Sequence, residues 1–293
     1  AMFHYSRTVE RVDMQPDFFC NASMVMEATT TSSNRLAFSD AERRCFLYQA
    51  NCLELMDAIL EKHPNGCFDM IFADPPYFLS NGGITCRNGK MVSVDKGAWD
   101  KSSGPEVNHA FNHEWLKRCR KLLKADGTIW VSGTFHAIHS IGFAMQQLGF
   151  RILNDIVWEK PNPPPNLACR YFTHSTETIL WASKSLDSRH FFDYEKMKLS
   201  NGGKQMKSVW RFLPPGADEK AFGKHPTQKP VSLVERCIES STREDDFVFD
   251  PFAGSSTTGV AALRVGRRFC GVEAESEFIN LSTLRLSSVL KMR

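Results

Sequence analysis

The chain has 293 residues, of which 42% are hydrophobic and 24% charged, and its formal net charge is only +3. This composition is typical of a globular protein, and no apolar run approaches the ~20 residues of a membrane-spanning helix. The nine cysteines are scattered without a Cys-x-x-Cys pair, which argues against a disulfide framework or a metal site and favours reduced thiols in the cytoplasm.

The pattern of apolar and amphipathic segments along the chain predicts an α/β fold. Residues 1–43 are polar and aperiodic and predict a partly ordered extension. From residue 44 onwards, apolar strands alternate with amphipathic helices, as in a largely parallel sheet that is covered on both faces. Strands are predicted at 45–51, 67–73, 128–133, 150–160, 176–184, 247–250 and 268–274, and helices at 52–62, 109–124, 230–241 and 256–265.

Two regions interrupt this alternation. Residues 78–106 are rich in Gly and Ser and long for a loop in a compact domain, so they predict a mobile functional loop. Residues 161–175 and 185–229 predict an insertion beside the sheet, with eight Lys or Arg against two acids between positions 196 and 229. Such a positive surface suits phosphates, although its charge alone fits a solvated loop equally well.

The first informative motif, Asp-Pro-Pro-Tyr at residues 74–77, directly follows a strand of the buried type. Neither proline can donate a backbone hydrogen bond, so the chain must leave the strand in a stiff, extended turn. The turn therefore fixes a carboxylate, free carbonyl groups and an aromatic ring in one place. The motif alone is only moderately specific, because it also occurs by chance.

The second informative stretch, residues 247–275, has the order strand, small-residue turn, helix, strand, acid. The turn around Gly254 lets a ligand approach the backbone where a helix begins, and Glu273 follows 19 positions later, near the spacing of a ribose-binding acid. Because Gly-x-Gly-x-x-Gly and Gly-Lys-Ser/Thr patterns are missing, a nucleoside that carries an amino-acid carboxylate fits better than a dinucleotide. An ordinary βαβ turn with a surface glutamate remains the alternative.

Three motifs in one order make the pattern specific. "DPPY" at 74–77, "KHPTQKP" at 224–230 and "DPFAGSSTTG" at 250–259 resemble the amino-methyltransferases of DNA in the permuted β arrangement. Within residues 44–288, "CRYFTHSTETILWA" and "GKQMK" are similar to the DpnA-type adenine methyltransferases of GATC modification systems. The resemblance implies a Rossmann-like methyltransferase fold with circularly permuted motifs, which has a catalytic half at 44–160, a target-recognition region at 161–224 and a cofactor-binding half at 225–293.

The resemblance also implies catalytic roles. Asp74 and the carbonyl of Pro75, stiffened by Pro76, would accept the hydrogens of an adenine amino group, and Tyr77 would stack on the flipped base. An aromatic amino nitrogen is a poor nucleophile because its lone pair is conjugated into the ring. Two fixed acceptors draw it towards tetrahedral geometry without reorganisation during the reaction.

The cofactor implied is S-adenosylmethionine. Glu273 would bind its ribose, Lys229 its carboxylate, and Asn51 would lie near its adenine. The full set of implied cofactor residues is Asn51, Asp74, Thr227, Gln228, Lys229, Asp250, Phe252, Gly254, Ser256, Thr257 and Glu273. Two of them depart from the family pattern: Ser256 replaces a glycine, which adds a side chain to a tight turn, and Asn51 replaces an aspartate.

The implied function is methylation of adenine N6 in DNA, within GATC, by a protein of the bacterial cytoplasm. The candidate DNA contacts are Arg170, Tyr171, Lys204, Gln205, Lys207 and Arg211. The alternatives are methylation of cytosine N4, whose enzymes usually have Ser-Pro-Pro in place of Asp-Pro-Pro, an inactive DNA-binding relative, and methylation of RNA or protein. The preference between double- and single-stranded DNA, a homodimer and a cognate restriction endonuclease stay open.

Overall fold

The structure is a computed structural model that describes residues 34–79, 84–87, 90–93 and 100–291. The strands are β1 Arg35–Asp40, β2 Cys45–Gln49, β3 Phe68–Ala73, β4 Ile84–Arg87, β5 Lys90–Ser93, β6 Leu123–Gly133, β7 Arg151–Glu159, β8 Thr176–Ser183, β9 Val209–Arg211, β10 Phe247–Asp250 and β11 Arg268–Glu273. The α-helices are α1 Cys52–Lys62, α2 Pro105–Leu122, α3 Phe135–Gln147, α4 Tyr194–Ser200, α5 Val231–Ser241, α6 Thr257–Arg264 and α7 Ser276–Lys291.

Nine of these strands form one mixed sheet in the order β1-β2-β11-β10-β3-β6-β8-β7-β9. The neighbours from β2 to β6 in this order pair in parallel, which confirms the prediction of a largely parallel sheet. Strand β8 is antiparallel to β6 and β7, and β1 is antiparallel to β2. Parallel pairing brings the carboxyl ends of β2, β11, β10, β3 and β6 to the same edge of the sheet.

Side chains that alternate along the central strands build a core on each face of the sheet. On one face Phe68 and Ile71 of β3 pack with buried residues of α1, α2 and α3. On the other face Met70 and Phe72 pack with buried residues of α5, α6 and α7. Because both faces are covered, the central strands are continuous apolar runs, which is why the sequence predicted them well.

The structure corrects the prediction at both ends of the sheet. Strand β1 lies in the predicted N-terminal extension, and its Leu36 pairs with Tyr48 of β2. Strand β9 lies in the predicted insertion but pairs in parallel with β7, and its buried Trp210 packs 6.1 Å from the ring of Trp130. Helices α3, α4 and α7 were not predicted either.

The predicted loop at 78–106 is also partly regular. It contains the antiparallel hairpin of β4 and β5, in which Ile84 pairs with Ser93. Residues 80–83, 88–89 and 94–99 of this segment lie outside the described residues. Along the described part of the chain, no helix has the length and apolar character needed to cross a bilayer.

Candidate active site

The ends of four neighbouring parallel strands form the candidate active site. Asn51 follows β2, Glu273 ends β11, Asp250 ends β10, and Asp74 follows β3. In open α/β sheets this carboxyl edge is where ligands bind. A cleft of about 260 Å³ opens here and is lined by all four residues.

The turn after β10 is shaped by Asp250. One carboxylate oxygen accepts a hydrogen bond from the Phe252 N–H at 2.9 Å, and the other accepts from the Thr258 hydroxyl at 2.5 Å. Burial raises the pKa of Asp250 to about 7, and these two donors oppose the rise. Both oxygens are used within the turn, so Asp250 contributes to the cleft mainly by fixing the backbone around it.

Gly254 is required by the geometry of the same turn. Its φ of +53° is in the left-handed region, and a Cβ at this position would lie 3.2 Å from the His225 ring. Its N–H donates to Glu273 at 2.8 Å, and the other Glu273 oxygen accepts from the Glu275 N–H at 2.8 Å. Burial raises the pKa of Glu273 to about 7, and the two backbone N–H groups oppose the rise.

Ser256 lies apart from the other predicted cofactor residues. Its φ of +54° explains why a glycine suits this position, but its side chain is fully buried at the start of α6. Among the described residues, Ser256 does not line the cleft, and its hydroxyl finds no hydrogen-bond partner there. The side chain of this serine therefore burdens the turn itself, through its positive φ and its buried hydroxyl, which is unpaired within the described part of the chain.

The segment before α5 forms a second wall of the cleft. The His225 ring packs 4.2 Å from the Phe278 ring, and its Nδ1 lies 3.2 Å from the Thr227 hydroxyl. The Gln228 amide nitrogen donates to the Glu219 carbonyl at 3.0 Å. The Gln228 amide oxygen is buried and has no hydrogen-bond partner among the described residues. A buried acceptor in a cleft wall suits a ligand that brings a donor, as the ammonium group of S-adenosylmethionine would.

The catalytic turn is held by hydrogen bonds on both sides. Asp74 accepts from the Tyr77 hydroxyl at 2.5 Å with one oxygen and from the Lys229 amine at 2.6 Å with the other. The buried carboxylate of Asp100 accepts from the backbone N–H groups of Tyr77 at 2.9 Å and Phe78 at 2.8 Å. Phe78 has a φ of +57°, so Asp100 stabilises a strained backbone that the sequence did not reveal.

Charges around Asp74 are balanced within a buried network. Burial raises the pKa of Asp74, and Lys229 opposes the rise. Burial alone would lower the pKa of Lys229, but Asp74 and Glu177 outweigh it and raise it. Burial and then Asp74 raise the pKa of Tyr77 well above its ordinary value. Since both oxygens of Asp74 accept hydrogen bonds, the geometry fits an ionised Asp74, a neutral Tyr77 and a charged Lys229.

The cleft gathers most of the predicted cofactor residues. All of them except Ser256 line it, together with Pro76, whereas Pro75 and Tyr77 are buried behind it. Lys229 contacts Asp74, which the sequence did not predict, and its amine lies 5.3 Å from the centre of the Tyr77 ring. The predicted stacking of Tyr77 on a base thus stays a prediction, and it requires this buried ring to become accessible. The Asn51 amide oxygen caps α1 by accepting from the Leu53 N–H at 2.9 Å.

The predicted DNA contacts lie away from the cleft. Arg170 and Tyr171 are exposed in the loop before β8, and the other four are exposed between residues 204 and 211. Sequence reasoning missed Phe172, which is 95% exposed beside them, and the cleft residues Phe111, His225 and Phe278. It could have found His225, which lies within the recognised "KHPTQKP" motif, whereas the two phenylalanines stand outside any motif.

Comparison with known proteins gives consistent results. A family model described as DNA methylase matches residues 68–284. Two relatives, the Type II methyltransferases M2.LlaDCHI of Lactococcus lactis subsp. cremoris and M2.DpnII of Streptococcus pneumoniae, are 56% and 55% identical over 230 residues, which is 78% of this chain and 86% of each relative. The crystal structure of the M1.HpyAVI–SAM complex is similar with a TM-score of 0.63 and 27% identity, over 82% of this chain and 98% of that one.

Proposed function

Because the chain belongs to the DNA methylase family and is an S-adenosylmethionine-dependent DNA methyltransferase, we propose that it methylates the N6 amino group of adenine within GATC. The observation that carries the proposal is the Asp74 carboxylate, which lines the cofactor cleft at the end of β3 on a turn fixed by two prolines and by Asp100. An ordinary strand-ending turn needs no such buried, charge-paired acid.

The residues of this turn act as hydrogen-bond acceptors for the amino group. S-adenosylmethionine supplies a methyl group on a positively charged sulfur, which an amino nitrogen attacks in line. Asp74 and the Pro75 carbonyl accept the two N–H groups and direct the nitrogen lone pair towards the methyl group. The nitrogen then carries one proton too many, and Asp74 is a suitable acceptor for it because burial raises its pKa.

The other cleft residues hold the cofactor. Glu273 at the end of β11 would bind the ribose hydroxyls, and Phe252 and Asn51, which line the same cleft, would contact the rest of the nucleoside. Thr227 and Gln228 bind the methionine end, where the buried Gln228 oxygen accepts from the ammonium group. The Lys229 amine, which contacts Asp74 at 2.6 Å and the Thr227 carbonyl at 3.3 Å, would also be the cation for the carboxylate of this end.

Similarity outside the catalytic motifs supports the choice of target. The resemblance to DpnA-type enzymes includes the loop that carries Arg170 and Tyr171 and the segment that carries Lys204, Gln205 and Lys207. The 55% identity to M2.DpnII extends over 230 residues, far beyond the three motifs. Asp74 favours adenine over cytosine, because cytosine-N4 enzymes usually have serine at this position.

We expect the exposed recognition residues to bind both duplex and single-stranded DNA. Methylation of a single strand is also favourable, because a base that is already unpaired saves the cost of extrusion. Lysines at 204 and 207 bind phosphates, and Arg170 and Tyr171 contact the DNA from the exposed loop before β8. A cognate restriction endonuclease is an expected partner because the relatives are named Type II methyltransferases. A homodimer is a further expectation, which sedimentation of the protein with and without DNA would test.

The proposed function is tested on unmethylated plasmid DNA. The plasmid is incubated with the protein and labelled S-adenosylmethionine and then digested with two nucleases, one blocked by methylated GATC and one that requires it. We expect protection from the first and cleavage by the second, with the label on adenine. Label on adenine in another sequence would reject the target, and label on cytosine N4 or only on RNA would reject the chemistry. Protein incubated without S-adenosylmethionine serves as the unmethylated control.

A further inference from the structure

A buried ion pair closes the base of the recognition loop. Lys160 follows β7 and Glu177 lies near the start of β8, so the two residues flank the loop that carries Arg170 and Tyr171. Their side chains form a salt bridge, and the Lys160 N–H donates to the Ser175 carbonyl at 2.7 Å. The Glu177 side chain is only 10% exposed, so solvent screens its charge weakly.

The same glutamate reaches towards the catalytic turn. Its second carboxylate oxygen lies 3.6 Å from the Lys229 amine, whereas the Asp74 carboxylate lies 2.6 Å from that amine. Lys229 is therefore held between two carboxylates and is closer to Asp74. A movement of the Lys229 amine by about 1 Å towards Glu177 would make Glu177 its closer carboxylate. The new separation would allow a hydrogen bond, which from N to O needs a distance near 2.9 Å.

The observed arrangement creates a problem for the proposed reaction. Both oxygens of Asp74 are engaged, one by Tyr77 and the other by Lys229. Each oxygen keeps a second lone pair, but a charged amine at 2.6 Å competes with a neutral N–H donor for the same carboxylate, so Asp74 is a stronger acceptor for an incoming amino group when Lys229 loosens its contact. A buried ammonium group without a counter-charge is strongly disfavoured, and Lys229 therefore needs a second carboxylate within reach.

We propose that Glu177 is a positioning residue that receives Lys229 from Asp74, so that an Asp74 oxygen becomes available to the amino group of the target base. The inference rests on the proposed function. Glu177 touches neither the base nor the cofactor and acts through Lys229. The rival acceptor for Lys229 is the carboxylate of S-adenosylmethionine, and the two can be separated by experiment.

The groups that face Asp74 give the inference a distinctive pH signature. They are Lys229 from the segment before α5, Glu177 from β8, Tyr77 from its own turn and Asp250 from β10. Beyond the effect of burial, Lys229 lowers the pKa of Asp74 and Glu177 raises it. Neutralising Glu177 should thus move the acidic limb of kcat to lower pH, and neutralising Lys229 should move it to higher pH. General damage to the site would not produce opposite shifts.

The test compares Glu177→Gln, Glu177→Asp and Lys229→Met with the wild-type protein on a GATC duplex, from acidic to alkaline pH. We expect Glu177→Gln to lower kcat by about 10-fold or more, with the opposite limb shifts of about 0.5 pH unit or more in the Gln and Met variants. Glu177→Asp retains the charge and should recover kcat to within about 3-fold of wild type. The Tm confirms that each variant is folded, and binding of S-adenosylmethionine without DNA confirms an intact cleft in the two Glu177 variants.

Wild-type turnover in Glu177→Gln would overturn the inference and leave the cofactor carboxylate as the acceptor of Lys229. Shifts of both acidic limbs in the same direction would also overturn it. A loss in Glu177→Asp as large as in Glu177→Gln would mean that the site needs the length of glutamate and not its charge, and the inference would fall in that case too. A wild-type protein that does not methylate adenine would instead reject the proposed function.

Discussion

The carboxyl edge of the sheet, where we propose that catalysis occurs, and the proposed recognition region at 161–224 are built in opposite ways. At the edge, Asp74, Asp250 and Glu273 each accept two hydrogen bonds from within the protein. In the recognition region, Lys204 and Lys207 are exposed. The acids at the edge are thus positioned by hydrogen bonds within the protein itself. In the proposed recognition region, we expect the exposed lysines to be ordered by contact with DNA.

This contrast decides how large the effects of substitutions should be. Buried charges at the edge are weakly screened, and their hydrogen bonds act on the reacting groups, so single changes there should cost orders of magnitude. Exposed charges act through a screened, long-range field and are individually worth little. Substitutions in each region therefore test whether the two differ in this way.

The largest effect is expected at Asp74. Asp74→Ala should lower kcat by about 100-fold or more, because it removes an acceptor that is needed when the amino nitrogen attacks. Single-turnover methylation of a GATC duplex, with calorimetric binding of S-adenosylmethionine, separates chemistry from binding.

Cofactor affinity should change little in Asp74→Ala, and Lys229 keeps Glu177 as a counter-charge. Asp74→Asn is the matched variant, because it keeps the volume and one acceptor oxygen but loses the charge. Near-normal turnover in either variant would remove Asp74 from the mechanism and weaken the contrast between the two regions.

The next effect concerns Glu273, which links β11 to the turn at Gly254. Glu273→Ala should weaken S-adenosylmethionine binding by roughly 1–3 kcal/mol, the usual cost of losing a charged hydrogen bond to a ligand. Isothermal calorimetry at pH 8 measures this loss of binding free energy. Unchanged affinity would place the ribose elsewhere in the cleft. Glu275→Ala is a useful control, since Glu275 also lines the cleft but bonds to Glu273 only through its backbone.

Burial of these acids also predicts how stability depends on pH. The folded protein raises the pKa of Asp250 and of Glu273 to about 7, from 3.8 and 4.5. The folded state then binds more protons than the unfolded chain between these values, so stability falls as the pH rises from about 4 to about 7. Urea unfolding should show a loss on the order of 1–3 kcal/mol per group.

Glu273→Gln should reduce this loss, because it removes one of the two titrating groups. Saturating S-adenosylmethionine should restore stability at pH 7 by mass action, provided that it binds the folded state alone. A stability profile that rises from pH 5 to 7 would contradict the burial argument for both acids.

The sequence predicted the central sheet and the cleft better than the periphery, for physical reasons. Strands β3 and β10 are apolar on both faces, and "DPPY" and "DPFAGSSTTG" specify turns that few other residues could form. Strand β1 is an edge strand in a polar segment, with only Leu36, Ala37 and Phe38 as apolar residues, and β9 is a three-residue edge strand whose partner β7 lies about 50 positions earlier in the chain. Helix α3 has buried Ile138, Ile141 and Met145 at helical spacing, so its hydrophobic pattern is one from which a helix can be predicted.

The network around Lys229 was not predictable from the sequence. Asp74, Glu177 and Lys229 lie on three separate elements, and 152 or more residues separate Lys229 from the Asp74 turn. Only the sheet order, which places β3 near β8 across β6, brings them together. Asp100 was missed for the same reason, because 23 positions separate it from Tyr77 of the Asp-Pro-Pro-Tyr turn that it contacts.

The smallest effect is expected in the recognition region. Replacing Lys204 and Lys207 together by glutamine should weaken binding to all DNA sequences several-fold and should leave the preference for GATC unchanged, since phosphate contacts carry no sequence information. Each lost phosphate contact releases about one counterion fewer, so the slope of log K against log salt should become shallower by about 2. Fluorescence anisotropy on GATC and scrambled duplexes between low and physiological salt measures both quantities.

The matched control is the exposed pair Lys117 and Lys121 on α2, on the helix-covered face. If the control pair changes the salt slope and the recognition pair does not, the DNA runs over α2, and the division between a prepared edge and a charged recognition region is wrong.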